Sequence, residues 1–352
     1  MTPGERMLRV LRREELYPVP FSFGTTPAFA DALAERIGTR DFASHFDFEC
    51  HGVGFGPPVT PTDYSRYVEE RDLPDAINIG EWGDATIPGD YYHFTRKVHL
   101  ASDIKTLAEF EEYPFPDVWP KERHAHLEEA VAAIKARGYA VVAGMECTIF
   151  EVAWYVRSME QLFFDHIDRP EMAAFLLDKI TERKTFMAGR FAEAGVDLIR
   201  FGDDIATQRG PMMSVPMWRE WYKPRLARVI QAAKDANPSV LAMYHSDGLY
   251  EPFMDDLIEI GIDVLNPIQP ECMDPAALKD TYGDRASFWG TIGTQTTMPF
   301  GSVEDVRGVV RERIRTVGRG GGLVIAPTHV LEPEVPVDNL LALADETRNH
   351  RP

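Results

Sequence analysis

From about residue 120 onward, short apolar, β-rich runs alternate with longer amphipathic stretches, and this alternation most restricts the fold. The predicted strands are YAVVAGME (139–146), VDLIRFGDD (196–204), SVLAMYHSD (239–247), IDVLNPIQ (262–269), ASFWGTIG (286–293) and GLVIAPTH (322–329). Near-continuous apolar runs of this kind suit parallel strands buried on both faces. Helical patterns fill the gaps at 170–195, 216–236 and 303–318, the last with Ser302 and Asp305 as an N-terminal cap and Gly318 as a stop. Two earlier strands are expected at 18–24 and 49–56, which brings the count to about eight βα units. The expected fold is therefore α/β, a (β/α)8 TIM barrel. A doubly wound open sheet is the alternative, because alternation alone does not show closure.

The barrel is expected to be one domain, 1–352, with the Pro-, Tyr- and acid-rich stretch 57–120 as an excursion over its mouth and a hairpin near 76–100. The 37 basic and 56 acidic residues give a formal charge of −19, and no basic stripe is present, which argues against nucleic acid. Cys50, Cys147 and Cys272 lie far apart and form no disulfide framework or zinc ribbon. No apolar run is long enough for a signal peptide core or a membrane span, so a cytoplasmic protein is expected.

Barrel active sites are built at strand C-termini. Here those ends carry Glu146, Asp203 with Asp204, His245 with Asp247, Asn266 with Gln269, Thr291 and His329. Any one acid could simply cap a helix; the set, with two histidines, points to a site. His245, Asp247 and His329 make an acceptable zinc shell with one position open, and Glu146 is available as a fourth ligand or as a general acid/base. Asp203 or Asp204 would hydrogen-bond or deprotonate substrate. Alternation sends one of them inward and leaves the other to cap the following helix or to pair with Arg209, without saying which. Arg209, Asn266, Gln269, Thr291 and, from the excursion, His93 are the expected substrate-binding groups. The glycines of HGVGFGPP (51–58) precede prolines rather than a helix, so a phosphate cradle is not expected there.

FGDDIATQRGPMMSVPMWREWYKPRL (201–226), YHSDGLYEPFMDDLIEIGIDVLNPIQPECMDPAALKDTYGD (244–284), FWGTIGTQTTMPFGSVEDV (288–306) and GGGLVIAPTHVLEPEVPVDNLLAL (320–343) resemble the uroporphyrinogen decarboxylase superfamily, continuously over about 136–345. The resemblance implies the same barrel, as a monomer or a homodimer. True porphyrinogen decarboxylases grip their substrate with arginines from an N-terminal Arg-Gln-Ala-Gly-Arg signature. The matching region here, YPVPFSFGTTPAFADAL, has no arginine.

The other branch, corrinoid-linked methyltransferases, binds zinc through His-x-Cys and a later Cys after Ala-Pro-Gly. HSD (245–247) and APTH (326–329) occupy those places: His245 matches, while Asp247 and His329 replace the cysteines. Harder N and O ligands make a stronger Lewis acid than thiolates do. DHIDRP at 165 does not match a cobalt-ligating Asp-x-His-x-x-Gly, so any corrinoid would come on a partner carrier protein. The resemblance therefore implies a zinc-dependent methyltransferase, a demethylase component acting on a small methylated substrate. The alternatives are a cofactor-independent decarboxylase of a small carboxylated heterocycle or aromatic acid, and a non-catalytic corrinoid- or tetrapyrrole-binding protein.

Overall fold

In the computed structural model, which describes residues 1–69, 73, 77–89 and 95–350, seven parallel strands pair in chain order. They are β1 (Cys50–Val53), β2 (Ala140–Glu146), β3 (Leu198–Gly202), β4 (Leu241–His245), β5 (Val264–Asn266), β6 (Ser287–Trp289) and β7 (Leu323–Val324). The eighth expected strand, 18–24, is present only as a bridged segment: Phe21 pairs with Ile325 and Thr25 with Leu331, both parallel. It extends the sheet beyond β7, and its Phe21 and Phe23 rings lie 5.6 and 5.0 Å from Phe48, which precedes β1 at the opposite edge. The architecture is α/β and TIM-barrel-like.

The strands are shorter than the apolar runs predict, most clearly at 322–329, where only Leu323–Val324 is ladder. The polar ends leave the ladder and form the rim.

Alternation along each strand divides two cores. Ala140, Leu198, Leu241, Met243, Val264 and Val324 share one inner cluster, while Val141, Ile199, Phe201, Ala242 and Leu265 belong to a second cluster shared with the helices. The inner cluster is completed from below by the N-terminal helix Pro3–Leu11, which inserts Met7 and Leu11. A capping box between Thr2 and Glu5 starts that helix. Gly4 lets it approach, since a Cβ there would sit 2.3 Å from the Ala140 nitrogen.

Helix α1 (Phe150–Arg157) follows β2 and carries the excursion on its outer side. The expected hairpin is part of a three-stranded antiparallel sheet, Asn78–Ile79, Asp84–Ile87 and Arg96–His99. Arg157, fully buried, bolts this region down: it pairs with Asp165 at 2.7 Å and donates to the Ala101 and Ile104 carbonyls. Buried charge of this kind is tolerable only because every partner is in place.

The single helix expected at 216–236 is two, Val215–Trp221 and Lys223–Ala236, because Pro224 cannot donate and starts a new first turn. The capping box of Ser302 and Asp305 starts helix Val303–Thr316 where the sequence places it. Among the described residues no helix is long and apolar enough to cross a membrane.

Because Leu11 is 1% exposed inside the barrel plug, Leu11→Ala is expected to lower stability by about 2–5 kcal/mol in chemical denaturation.

Candidate active site

Strand parity assigns the two adjacent acids to opposite sides. On β3, Leu198 and Arg200 face inward, and Asp204 continues that row into a cavity of about 820 Å³. Asp203 continues the row of Ile199 and Phe201, toward the helices. Its buried carboxylate accepts the backbone N–H groups of Ile149 and Glu151 at 3.0 Å, at the start of α1. Burial and the nearby Glu151 carboxylate push Asp203 up to about 7, against the pull of those N–H donors. Asp203 is thus a cap, but for α1 after β2 rather than for the helix after its own strand. It does not line the cavity.

Glu146, Gly202, His245 and Asn266 are register partners across β2–β5 and form one level of the mouth. The Asn266 amide nitrogen donates to the Trp289 carbonyl at 2.9 Å, so its oxygen faces His245 Nδ1, 2.7 Å away. Nδ1 must then carry a hydrogen, and Nε2 is left facing Asp204 and Asp247, each 3.9 Å off. The Asp247 N–H donates to Asp204 Oδ1 at 2.7 Å, which draws the two carboxylates together. Ligand atoms of Asp204, His245 and Asp247 all lie within 4.8 Å of one another. Burial pushes Asp247 up, and the Asp204 charge adds to this against His245 and His329. A cation among the three would relieve the repulsion.

Thus Asp204, and not His329, completes the histidine–carboxylate group. His329 is exposed beyond the end of β7, where the loop carries it to the rim; it lines both the main cavity and a second one of about 520 Å³. Asp247 faces that second cavity, so the trio stands in the wall between the two.

Glu146 is paired with Arg200, 2.8 Å from its Nε, rather than directed at the trio. Gln269 is buried, accepts the Gly248 N–H at 3.1 Å, and lines the second cavity. Thr291 is fully buried and lines neither; its N–H donates to the Ala326 carbonyl, which ties it to the neighbouring segment past β7. Arg209 stands exposed in the Ala206–Pro211 hairpin turn and, among the described residues, has no ion-pair partner; the hairpin carries it away from Asp204. His93 lies outside the described residues.

Two residues that the sequence reading missed enter the site. Arg200 could have been found by counting in twos from Asp204. Glu151 carries no such signal, since it reaches the mouth from α1. Its carboxyl accepts the Tyr155 hydroxyl at 2.8 Å and the Asp204 N–H at 3.2 Å. Burial, and then the Asp204 charge, raise its pKa.

The family described as uroporphyrinogen decarboxylase (URO-D) matches residues 92–350. The methylcobamide:CoM methyltransferase MtaA of Methanosarcina barkeri is 24% identical over 230 residues, and the match spans 64% of this chain and 64% of that enzyme. The uroporphyrinogen decarboxylase of Alkalilimnicola ehrlichii is 22% identical over 370 aligned residues, 99% of this chain and 94% of that one. A methyltransferase from Methanosarcina mazei has the same fold, with a TM-score of 0.67 at 20% identity over 99% of this chain and 98% of its own.

The geometry predicts two separable effects. Asp203→Ala strands two fully buried N–H groups at the start of α1 and should cost about 1–3 kcal/mol of stability in denaturant melts, whereas Asp204→Ala frees only the part-buried Asp247 N–H and should cost less. Gly202→Ala places a Cβ 2.4 Å from the His245 carbonyl oxygen; it should push the His245 backbone off its register and lower the denaturation midpoint in the same melts.

Proposed function

The chain belongs to the uroporphyrinogen decarboxylase family, on the side of its methyltransferase-like members, and from that premise we propose that it is a zinc-dependent methyltransferase, the demethylase component of a corrinoid-linked system. The single observation that carries this reading is the trio Asp204, His245 and Asp247, with His245 Nε2 facing two carboxylates. Tetrahedral zinc with N and O ligands at about 2.0–2.2 Å sets ligand atoms about 3.3–3.6 Å apart, so the 3.9 Å separations would have to close by only a few tenths of an ångström around the ion. Asp204, His245 and Asp247 would hold the ion, with His329 available from the rim as a fourth ligand. Bound zinc would act as a Lewis acid on the heteroatom that loses the methyl group.

The remaining chemistry belongs to the chain. Asn266 fixes the His245 ring. Transfer of the methyl group to a corrinoid on a carrier protein leaves an electron pair on the substrate heteroatom, which takes up a proton. Glu151, buried with its pKa raised and its carboxyl at the cavity wall, would hold that proton at Oε1 or Oε2. Asn266 and the inner wall would orient the substrate, and the mouth between the two cavities would receive the carrier. We take the eight βα units to close as one barrel domain over residues 1–352, with 57–120 as its excursion and the Phe21, Phe23 and Phe48 rings at the seam.

Charge weighs against a porphyrinogen substrate. Among the described residues that line the main cavity, Arg200 is the only arginine or lysine, facing Glu146, Glu151 and Asp204. Several propionates would need more cations than that.

Purified protein is expected to carry zinc by elemental analysis and to demethylate a methyl ether when supplied with a corrinoid carrier or free cob(I)alamin. Chelation or His245→Ala should remove both properties, and Glu151→Gln should keep the zinc while slowing turnover about 10²- to 10⁴-fold. Carbon dioxide release undiminished by chelator would instead establish the decarboxylase.

A further inference from the structure

The run HGVGFGPP has a role that the metal trio does not explain. Cys50 packs against the inner cluster, so Gly52, its alternate neighbour on β1, faces the same side, and Gly54 follows just past the strand end. Both line the main cavity and both are exposed to it. A Cβ at Gly54 would meet nothing within 4 Å, and one at Gly52 only the Val142 carbonyl oxygen at 3.9 Å. Neither residue has a left-handed backbone. Packing and conformation would therefore accept a side chain at either position. What glycine preserves here is empty volume beside bare peptide planes, bounded by Phe48 and Trp289.

Arg200 also lines this cavity. Its Nε is buried without a hydrogen-bond partner, because Glu146 Oε1 is close at 2.8 Å but poorly aligned. Among the described residues the guanidinium makes no hydrogen bond at all. A planar cationic fork inside a cavity, oriented by a neighbouring carboxylate and lacking acceptors, matches a ligand carboxylate. A bare peptide wall between aromatic edges matches a flat ring.

Resting on the methyltransferase reading, we infer that the substrate is a ring-bearing carboxylate with a transferable methyl group, its ring on the Gly52–Gly54 wall and its carboxylate on Arg200. The methyl-bearing heteroatom would then point toward Asp204 and His245.

The probes are 4-methoxybenzoate and its neutral analogue 4-methoxybenzamide, titrated calorimetrically into the zinc-loaded full chain, with Trp289 as a fluorescence reporter. Wild type should bind the acid about 10- to 100-fold more tightly than the amide, the worth of hydrogen bonds to a charged group. Arg200→Met should bind the two alike. Gly54→Leu should melt as wild type does, since its side chain enters open space, yet bind neither probe. Equal affinity of wild type for acid and amide, no binding of either at millimolar concentration, or unchanged binding of the acid by Arg200→Met or Gly54→Leu would each overturn the inference. Arg200-dependent binding of the acid without methyl transfer to cob(I)alamin would uphold this pocket and overturn the methyltransferase reading. Demethylation of neutral methyl ethers by wild type and Arg200→Met alike would do the reverse.

Discussion

The side-chain alternation of a parallel strand governs nearly everything in this molecule. Each strand gives every second residue to the barrel interior and the others to the helix layer. Near the strand starts, Leu198, Leu241, Val264 and Val324 fill the interior, and the helix Pro3–Leu11 seals it. Near the strand ends the same rows become Glu146, Arg200, His245 and Asn266, and the apolar filling gives way to a cavity. The site is the upper half of a packing pattern whose lower half supplies the stability.

That division also explains the adjacent acids. Asp203 spends its charge on backbone N–H groups in the helix layer, and Asp204 brings its own into the mouth. The two are linked through Glu151, which supplies an N–H to Asp203 and accepts one from Asp204. The start of α1 is therefore tied both to the structural acid and to the one facing the cavity. Burial first, and then a neighbouring carboxylate (Asp204 beside Glu151 and Asp247, Glu151 beside Asp203), raises the pKa values of Glu151, Asp203 and Asp247, which favours a proton or a cation among them.

Much of this was legible in the sequence, for physical reasons. Apolar runs of strand length reveal buried parallel strands, so the order of the units and the polar rim could be read, as could the capping box at Ser302 and Asp305. His245 and Asp247 stand at a strand end, where i and i+2 share a side, and their approach to each other follows from that spacing. What could not be read depends on contacts between distant segments. Glu151 arrives from a helix, His329 is carried outward by its loop, and the partner of Glu146 is Arg200 on the next strand. Thr291 looks like a rim residue but is fully buried. Arg209 follows the acids in sequence, yet the Ala206–Pro211 hairpin carries it away. Gly52 and Gly54 looked like a failed phosphate loop because their meaning lies in the space opposite them.

Asp204, His245 and Asp247 are proposed to hold one zinc ion in the wall between the two cavities. Crystals of the zinc-loaded protein, measured on both sides of the zinc absorption edge, test it most directly. One anomalous peak is expected, within about 2.0–2.2 Å of His245 Nε2 and of an oxygen from each aspartate. A peak on other residues, or none in crystals shown to contain zinc-loaded protein, would contradict it.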